Sequence, residues 1–125
     1  MNNFKKILLI DDEQGMQDLF RFLLEPQGYR VFTASNGQEG VDLVKNNKYD
    51  IIFLDVHMPV MGGPEALKKI KEIRPDQTVI IFSSSSDPAF SFETRARELG
   101  AHTCLYKPVD IDTIQQLIES ITKKK

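Results

Sequence analysis

The chain has 125 residues, 41% hydrophobic and 27% charged, which suits one globular domain over residues 1–125 and excludes a disordered, collagenous or fibrous polymer. With 16 basic residues against 18 acidic ones the formal net charge is −2, so the basic field that wraps nucleic acid is lacking and no direct nucleic-acid binding is expected. The longest apolar runs, 7–10 and 51–54, cannot span a bilayer, no secretory cleavage site follows the N-terminus, and the single Cys104 excludes an internal disulfide, so a cytoplasmic protein without membrane insertion is expected.

Residues 7–10 are wholly apolar and rich in Ile and Leu, as a strand covered on both faces should be. Met16, Leu19, Phe20, Leu23 and Leu24 then follow helical spacing and predict one buried stripe, closed by Pro26 and Gly28. A second strand is expected at 31–34. Asn36 followed by Glu39 has capping-box spacing, with Val41 and Val44 on the inward face of the helix it starts. The third strand, 51–54, is again apolar throughout. Pro64 fits a first helical position, with Leu67, Ile70 and Ile73 behind it. After a fourth strand at 79–82, Asp87 and Pro88 start a helix with Phe92, Ala96 and Leu99 inward and Gly100 as its cap. A fifth strand at 104–106, in which Cys104 reads as a small apolar core residue, precedes a helix capped by Asp110 with Ile111, Ile114, Leu117, Ile118 and Ile121 on one side.

Strict alternation of five strands and five helices predicts an α/β fold, a doubly wound five-stranded parallel sheet with helices on both faces. Strands 2 and 5 are the more mixed in composition and should be edges, with 1, 3 and 4 in the middle, and right-handed crossovers then favour the order 2-1-3-4-5. In such a sheet a site forms beyond the carboxyl ends of the strands at the switch point, here between strands 1 and 3.

Those ends carry chemistry. Strand 1 runs into Asp11, Asp12 and Glu13, strand 3 into Asp55, strand 4 into Ser83, and strand 5 into Lys107 and Pro108. Successive strand residues point to opposite faces, so Asp11 and Asp12 share a pocket only where the strand breaks into a loop. Three carboxylates within ~5 Å of one another repel by about 3 kcal/mol per pair at an effective dielectric of ~20. Lys107 supplies one compensating charge, and a hard divalent cation that takes oxygen ligands, Mg2+, supplies two more. His57, His102 and Cys104 are too few for a zinc set. Phosphoryl transfer fits this group of residues. A carboxylate attacks phosphorus, the cation neutralises the phosphoryl oxygens, and lysine and hydroxyl bind the rest. Asp55 stands alone at the end of the central strand and is the nucleophile, leaving the acidic pair to hold metal, and the product is an aspartyl phosphate.

The segments ILLIDDE at 7–13, FLDVHMPVMGG at 53–63, VIIFSS at 79–84 and Lys107-Pro108 together resemble the receiver domains of two-component response regulators, of the chemotaxis-regulator kind, over essentially the whole chain. Each segment alone is common; four in order, each at a strand end, are specific. The resemblance implies that Asp55 is the phosphoacceptor, charged by a histidine kinase or a histidine phosphotransfer protein. It implies that Asp11, Asp12, Asp55 and the backbone carbonyl of His57 bind Mg2+, or Mn2+ in its place. Ser83 would turn toward the phosphoryl group, Lys107 would ion-pair with it, and the Lys107-Pro108 bond would be cis, which proline makes affordable. Such a domain is not a turnover enzyme; it catalyses its own phosphorylation and autodephosphorylation.

The chain departs from that family's pattern in places. Cys104 stands three residues before Lys107, where an aromatic or histidine is common, so coupling to output is expected to differ. Gly62 replaces a more usual polar residue and should loosen its loop. Ser84 stands where Ala is usual and should still admit phosphate. His57 and Ser85 line the route of attacking water and should tune phosphate lifetime. A flavodoxin-like cofactor binder is opposed by acids where a phosphate loop would be needed. An aspartyl-phosphate hydrolase wants a second acid at position 57. A receiver-like module that binds without phosphorylation, and a receiver excised from a longer transcriptional regulator, remain as alternatives. The last predicted helix ends near Lys125, so no DNA-binding or enzymatic output domain is expected, and the output would be a downstream target protein docked on the face of helix 4, strand 5 and helix 5. The expected role is a stand-alone regulator or a phosphorelay intermediate.

Overall fold

The computed structural model describes residues 5–56, 60–84, 96–107 and 110–122, with 83, 84, 106 and 107 described by their backbone alone. Five strands, β1 (Lys6–Ile10), β2 (Arg30–Ala34), β3 (Ile51–Asp55), β4 (Val79–Ser84) and β5 (Thr103–Lys107), pair in parallel in the order β2-β1-β3-β4-β5. The mixed strands β2 and β5 are the edges and the apolar ones fill the middle. Four helices are described: α1 (Gln14–Leu24), α2 (Gly37–Asn46), α3 (Gly63–Ile73) and α4 (Ile111–Thr122), the last being the fifth of the sequence reading. Of the expected helix before β5, residues 96–98 are helical, Ala96 is buried and Gly100 ends the segment with φ 101°, while Asp87, Pro88 and Phe92 lie outside the described residues.

The two-residue period of the strands sorts the core into two layers. Ile7 and Leu9 of β1, with Phe53 and Phe82, pack on Phe20 and Leu24 of α1 and Ile114 and Ile118 of α4. Leu8 and Ile10, with Leu54 and Ile81, pack on Val41 and Val44 of α2 and Leu67 and Ile70 of α3. Helices therefore cover both faces. Phe20 meets the Phe53 ring edge-on at 5.1 Å between centroids, and Phe53 stacks on Phe82 at 5.4 Å. These rings form a close-packed floor beneath the carboxyl ends of β3 and β4, where packing of this kind adds to area burial.

Local signals act as the sequence indicates, with instructive shifts. Asn36 accepts from Glu39 N at 2.8 Å, whereas the Glu39 carboxylate reaches past Asn36 to the backbone N–H of Ser35. Asp110 accepts from Asp112 N at 3.2 Å and so starts α4. Pro26 stands in a short 3-10 turn, Glu25–Gln27, after α1, and Gly28 leaves that turn at φ 97°, a conformation other residues rarely adopt. The α1 stripe differs from expectation. Leu19 is 39% exposed, while Gln17, Phe20 and Leu24 form the buried line. Leu19 sits at the margin of the apolar arc and faces water, and Gln17 takes the inward place because its amide has a buried partner in the Asp11 carbonyl. Among the described residues no helix is long and apolar enough to cross a membrane.

Candidate functional site

β1 ends at Ile10, but its pairing continues for one residue, because Asp11 N donates to Ala34 O at 2.9 Å. The register sets Ile10 opposite Leu54 and so carries Asp11 alongside Asp55 at the tip of β3. Leu9 and Phe53, two residues before each acid, both belong to the α1 and α4 side, so the pleat sends Asp11 and Asp55 to that same side. Asp11 is fully buried and Asp55 is 5% exposed. In an unbroken strand Asp12 would point away. Here it lies in a bend, exposed, and one carboxylate oxygen from each of Asp11, Asp12 and Asp55 lies within 4.8 Å of the others.

Two contacts hold that bend. Glu13 N donates to Asp11 Oδ1 at 2.9 Å, so the Asp11 carboxylate helps turn the chain into α1. The Gln17 side-chain Nε2 donates to the Asp11 carbonyl oxygen at 2.7 Å and reaches Ser35 Oγ at 3.4 Å. Sequence reasoning missed Gln17, since one glutamine in an amphipathic helix carries no signal that separates an inward from a solvated amide.

On the other side of the site, Val56 N donates to Phe82 O at 3.0 Å and Gly63 N to Val56 O at 2.9 Å, closing the loop that follows Asp55. A Cβ at Gly63 would stand 2.8 Å from Val56 Cα and 3.2 Å from the Asp55 carbonyl oxygen, whereas at Gly62 the nearest atom is 3.7 Å away. Gly63, not Gly62, is the residue whose smallness the loop requires. Val60 in the same loop has φ 73° and is 79% exposed, an uncommon state for a β-branched residue. Met61 beside it is buried.

The remaining predicted residues are located by backbone. Phe82 pairs with Asp55, so Ser83 follows one residue beyond the level of the acid; Lys107 ends β5 in register with Ser84. The ends of β3, β4 and β5 thus share one edge of the sheet with the turn after β1. His57, Ser85 and Pro108 lie outside the described residues. Cys104 is partly buried against the α2 and α3 layer, and His102 is exposed.

The donor set fits a hard divalent cation. Three carboxylates, two of them buried, offer oxygen ligands at one point, and the exposed side at Asp12 leaves room for the waters that Mg2+ retains. Without a cation the three charges repel one another in partly dry surroundings. Asp11, Asp12 and Asp55 are the residues that would hold the ion.

Comparison with known proteins places this geometry. A family model for the response regulator receiver domain matches residues 7–119. The chain is 35% identical over 115 residues to sporulation initiation phosphotransferase F of Bacillus subtilis, covering 92% of this chain and 91% of that protein. It is 32% identical over 113 residues to transcriptional regulatory protein GlrR of Escherichia coli, covering 90% of this chain but 25% of that protein. A crystal structure of a response regulator receiver domain protein from Clostridium thermocellum superposes with a TM-score of 0.86 at 33% identity, covering 97% of this chain and 96% of that one.

Proposed function

Since the chain belongs to the response regulator receiver domain family of two-component systems, we propose that it accepts a phosphoryl group on Asp55 in a Mg2+-dependent reaction and uses the modified state to switch protein contacts. The observation that carries this reading is the position of Asp55. It ends the central strand, is 5% exposed, and keeps a carboxylate oxygen within 4.8 Å of those of Asp11 and Asp12. A carboxylate on a rigid strand tip is held for in-line attack. An oxygen of Asp55 forms the new bond to phosphorus as the bond from phosphorus to a donor histidine nitrogen breaks, and the freed imidazole takes up a proton. When bound, Mg2+ neutralises the charge on the phosphoryl oxygens. Asp11, Asp12 and Asp55 would hold it. Lys107 pairs with the incoming charge and Ser83 donates a hydroxyl to it, and both act as the reporters of phosphorylation.

The donor is a histidine kinase or a histidine phosphotransfer protein, and the output is binding of a downstream protein through the surface formed by the segment before β5, β5 itself and α4. The likeness to a protein named as a phosphotransferase supports a relay role. Incubation of the purified chain with a small phosphodonor, followed by intact-mass measurement, tests the reading. One phosphoryl group should appear on the wild type with MgCl2, fall to background with a chelator, and be absent from Asp55→Asn. Equal uptake by Asp55→Asn would remove Asp55 from the role, and no uptake by the wild type would favour an interaction module that works without phosphorylation.

A further inference from the structure

Gln17 is buried, 6% exposed, one turn into α1, and it spends its amide on the turn that carries the acids and not on its own helix. Its backbone N–H closes the first turn of α1 on Glu13 O at 3.2 Å, while its side chain returns to the Asp11 carbonyl at 2.7 Å and to Ser35 Oγ at 3.4 Å. Asp11 is thereby held from three directions. Its N–H is tied to Ala34 of β2, its carbonyl to Gln17, and one carboxylate oxygen to Glu13 N. Ser35, the next residue after β2, is drawn into the same group.

We infer that Gln17 is a positioning residue for the cation: by fixing the Asp11 peptide plane and tying the turn after β1 to the turn after β2, it sets the aim of the Asp11 carboxylate beside Asp55. The inference rests on the reading that the three acids hold Mg2+. The chemistry of the side chain supports it. An amide donates a hydrogen bond and carries no charge, so it orients the acidic turn without neutralising it and leaves the full negative charge for the ion. A lysine or arginine in its place would compete with the cation electrostatically. Outer contacts that orient ligands in this way matter to affinity: their removal typically weakens metal binding by about 10- to 100-fold.

The test is MgCl2 titration of the full chain followed by backbone amide NMR shifts at Glu13 and Val56, with the metal-free melting midpoint measured in parallel. Gln17→Met keeps length and volume and deletes both hydrogen bonds; Gln17→Asn withdraws the amide by one methylene and is the second variant should the first not fold. The expected result is an Mg2+ Kd about tenfold weaker in either folded variant, and a change below about threefold in Ser35→Ala, which leaves the bond to Asp11 intact. A merely structural role would lower the midpoint and leave Kd where it was. A folded Gln17→Met or Gln17→Asn with the wild-type Kd overturns the inference, as does failure of both to fold, which would assign Gln17 to the scaffold alone. Should the wild type itself show no Mg2+ binding, the metal reading falls first, so the two failures are distinguishable.

Discussion

Asp11 and Asp55 are neighbours because two strands are in register and their pleats agree in phase. Asp12 joins them because the strand stops one residue earlier. The convergence of these acids on one edge was legible from their places at the strand ends, whereas the interruption that brings in Asp12 was only permitted by the sequence. What was not legible is what holds the interruption in place. Gln17 looks like any polar residue of an amphipathic helix, and Val60 sits in a left-handed conformation that its β-branched side chain would argue against. The two adjacent glycines after Met61 also look equivalent in sequence, yet only at Gly63 does backbone come closer than a Cβ would tolerate. Gly63→Ala should cost about 1–3 kcal/mol in urea unfolding and slow phosphate uptake by displacing the carbonyl of Asp55, whereas Gly62→Ala should stay within about 0.5 kcal/mol of wild type. Equal stability of the two variants would contradict the packing described for this loop.

At the level of elements, several signals that rest on local chemistry act as their residue types indicate, whereas those that depend on tertiary partners depart from expectation. Asn36 caps α2 as its type and spacing indicate, Gly28 and Gly100 end their segments in the left-handed region, and Asp110 opens α4. Removing the α2 cap with Asn36→Ala should cost about 1 kcal/mol and lower the thermal midpoint by about 4 °C, and an unchanged midpoint would show the cap to be idle. The inward line of α1 was displaced from expectation because burial there is decided by hydrogen-bond partners as well as by hydrophobicity. Leu19 is left at the margin, and Phe22, 77% exposed, stands on the outer side of the same helix. The Glu39 carboxylate likewise chose the Ser35 N–H over that of Asn36, a detail that spacing alone does not distinguish.

For the whole molecule, composition separated centre from edge, since only central strands of a doubly wound sheet are covered on both faces, and right-handed crossovers pointed to the order that the sheet adopts. The consequence is a polarised domain. A dry core of two layers and a stacked aromatic floor support one edge at which negative charge is concentrated by topology. Such an edge is destabilising until a cation binds, so MgCl2 at about ten times its Kd should stabilise the fold by about 1.4 kcal/mol and raise the midpoint by about 5 °C. NaCl at matched ionic strength should not reproduce that rise; if it does, general screening and not a specific site is responsible.

The most direct test of the account is chemical trapping of the modified residue. Borohydride reduces an acyl phosphate and leaves a mass change on the residue that bore it, which peptide mass mapping then locates. After treatment with a phosphodonor and Mg2+, the reduced residue should be at position 55 and nowhere else; a label at Asp11 or Asp12, or none at all in the wild type, would contradict the assignment of Asp55 as the acceptor.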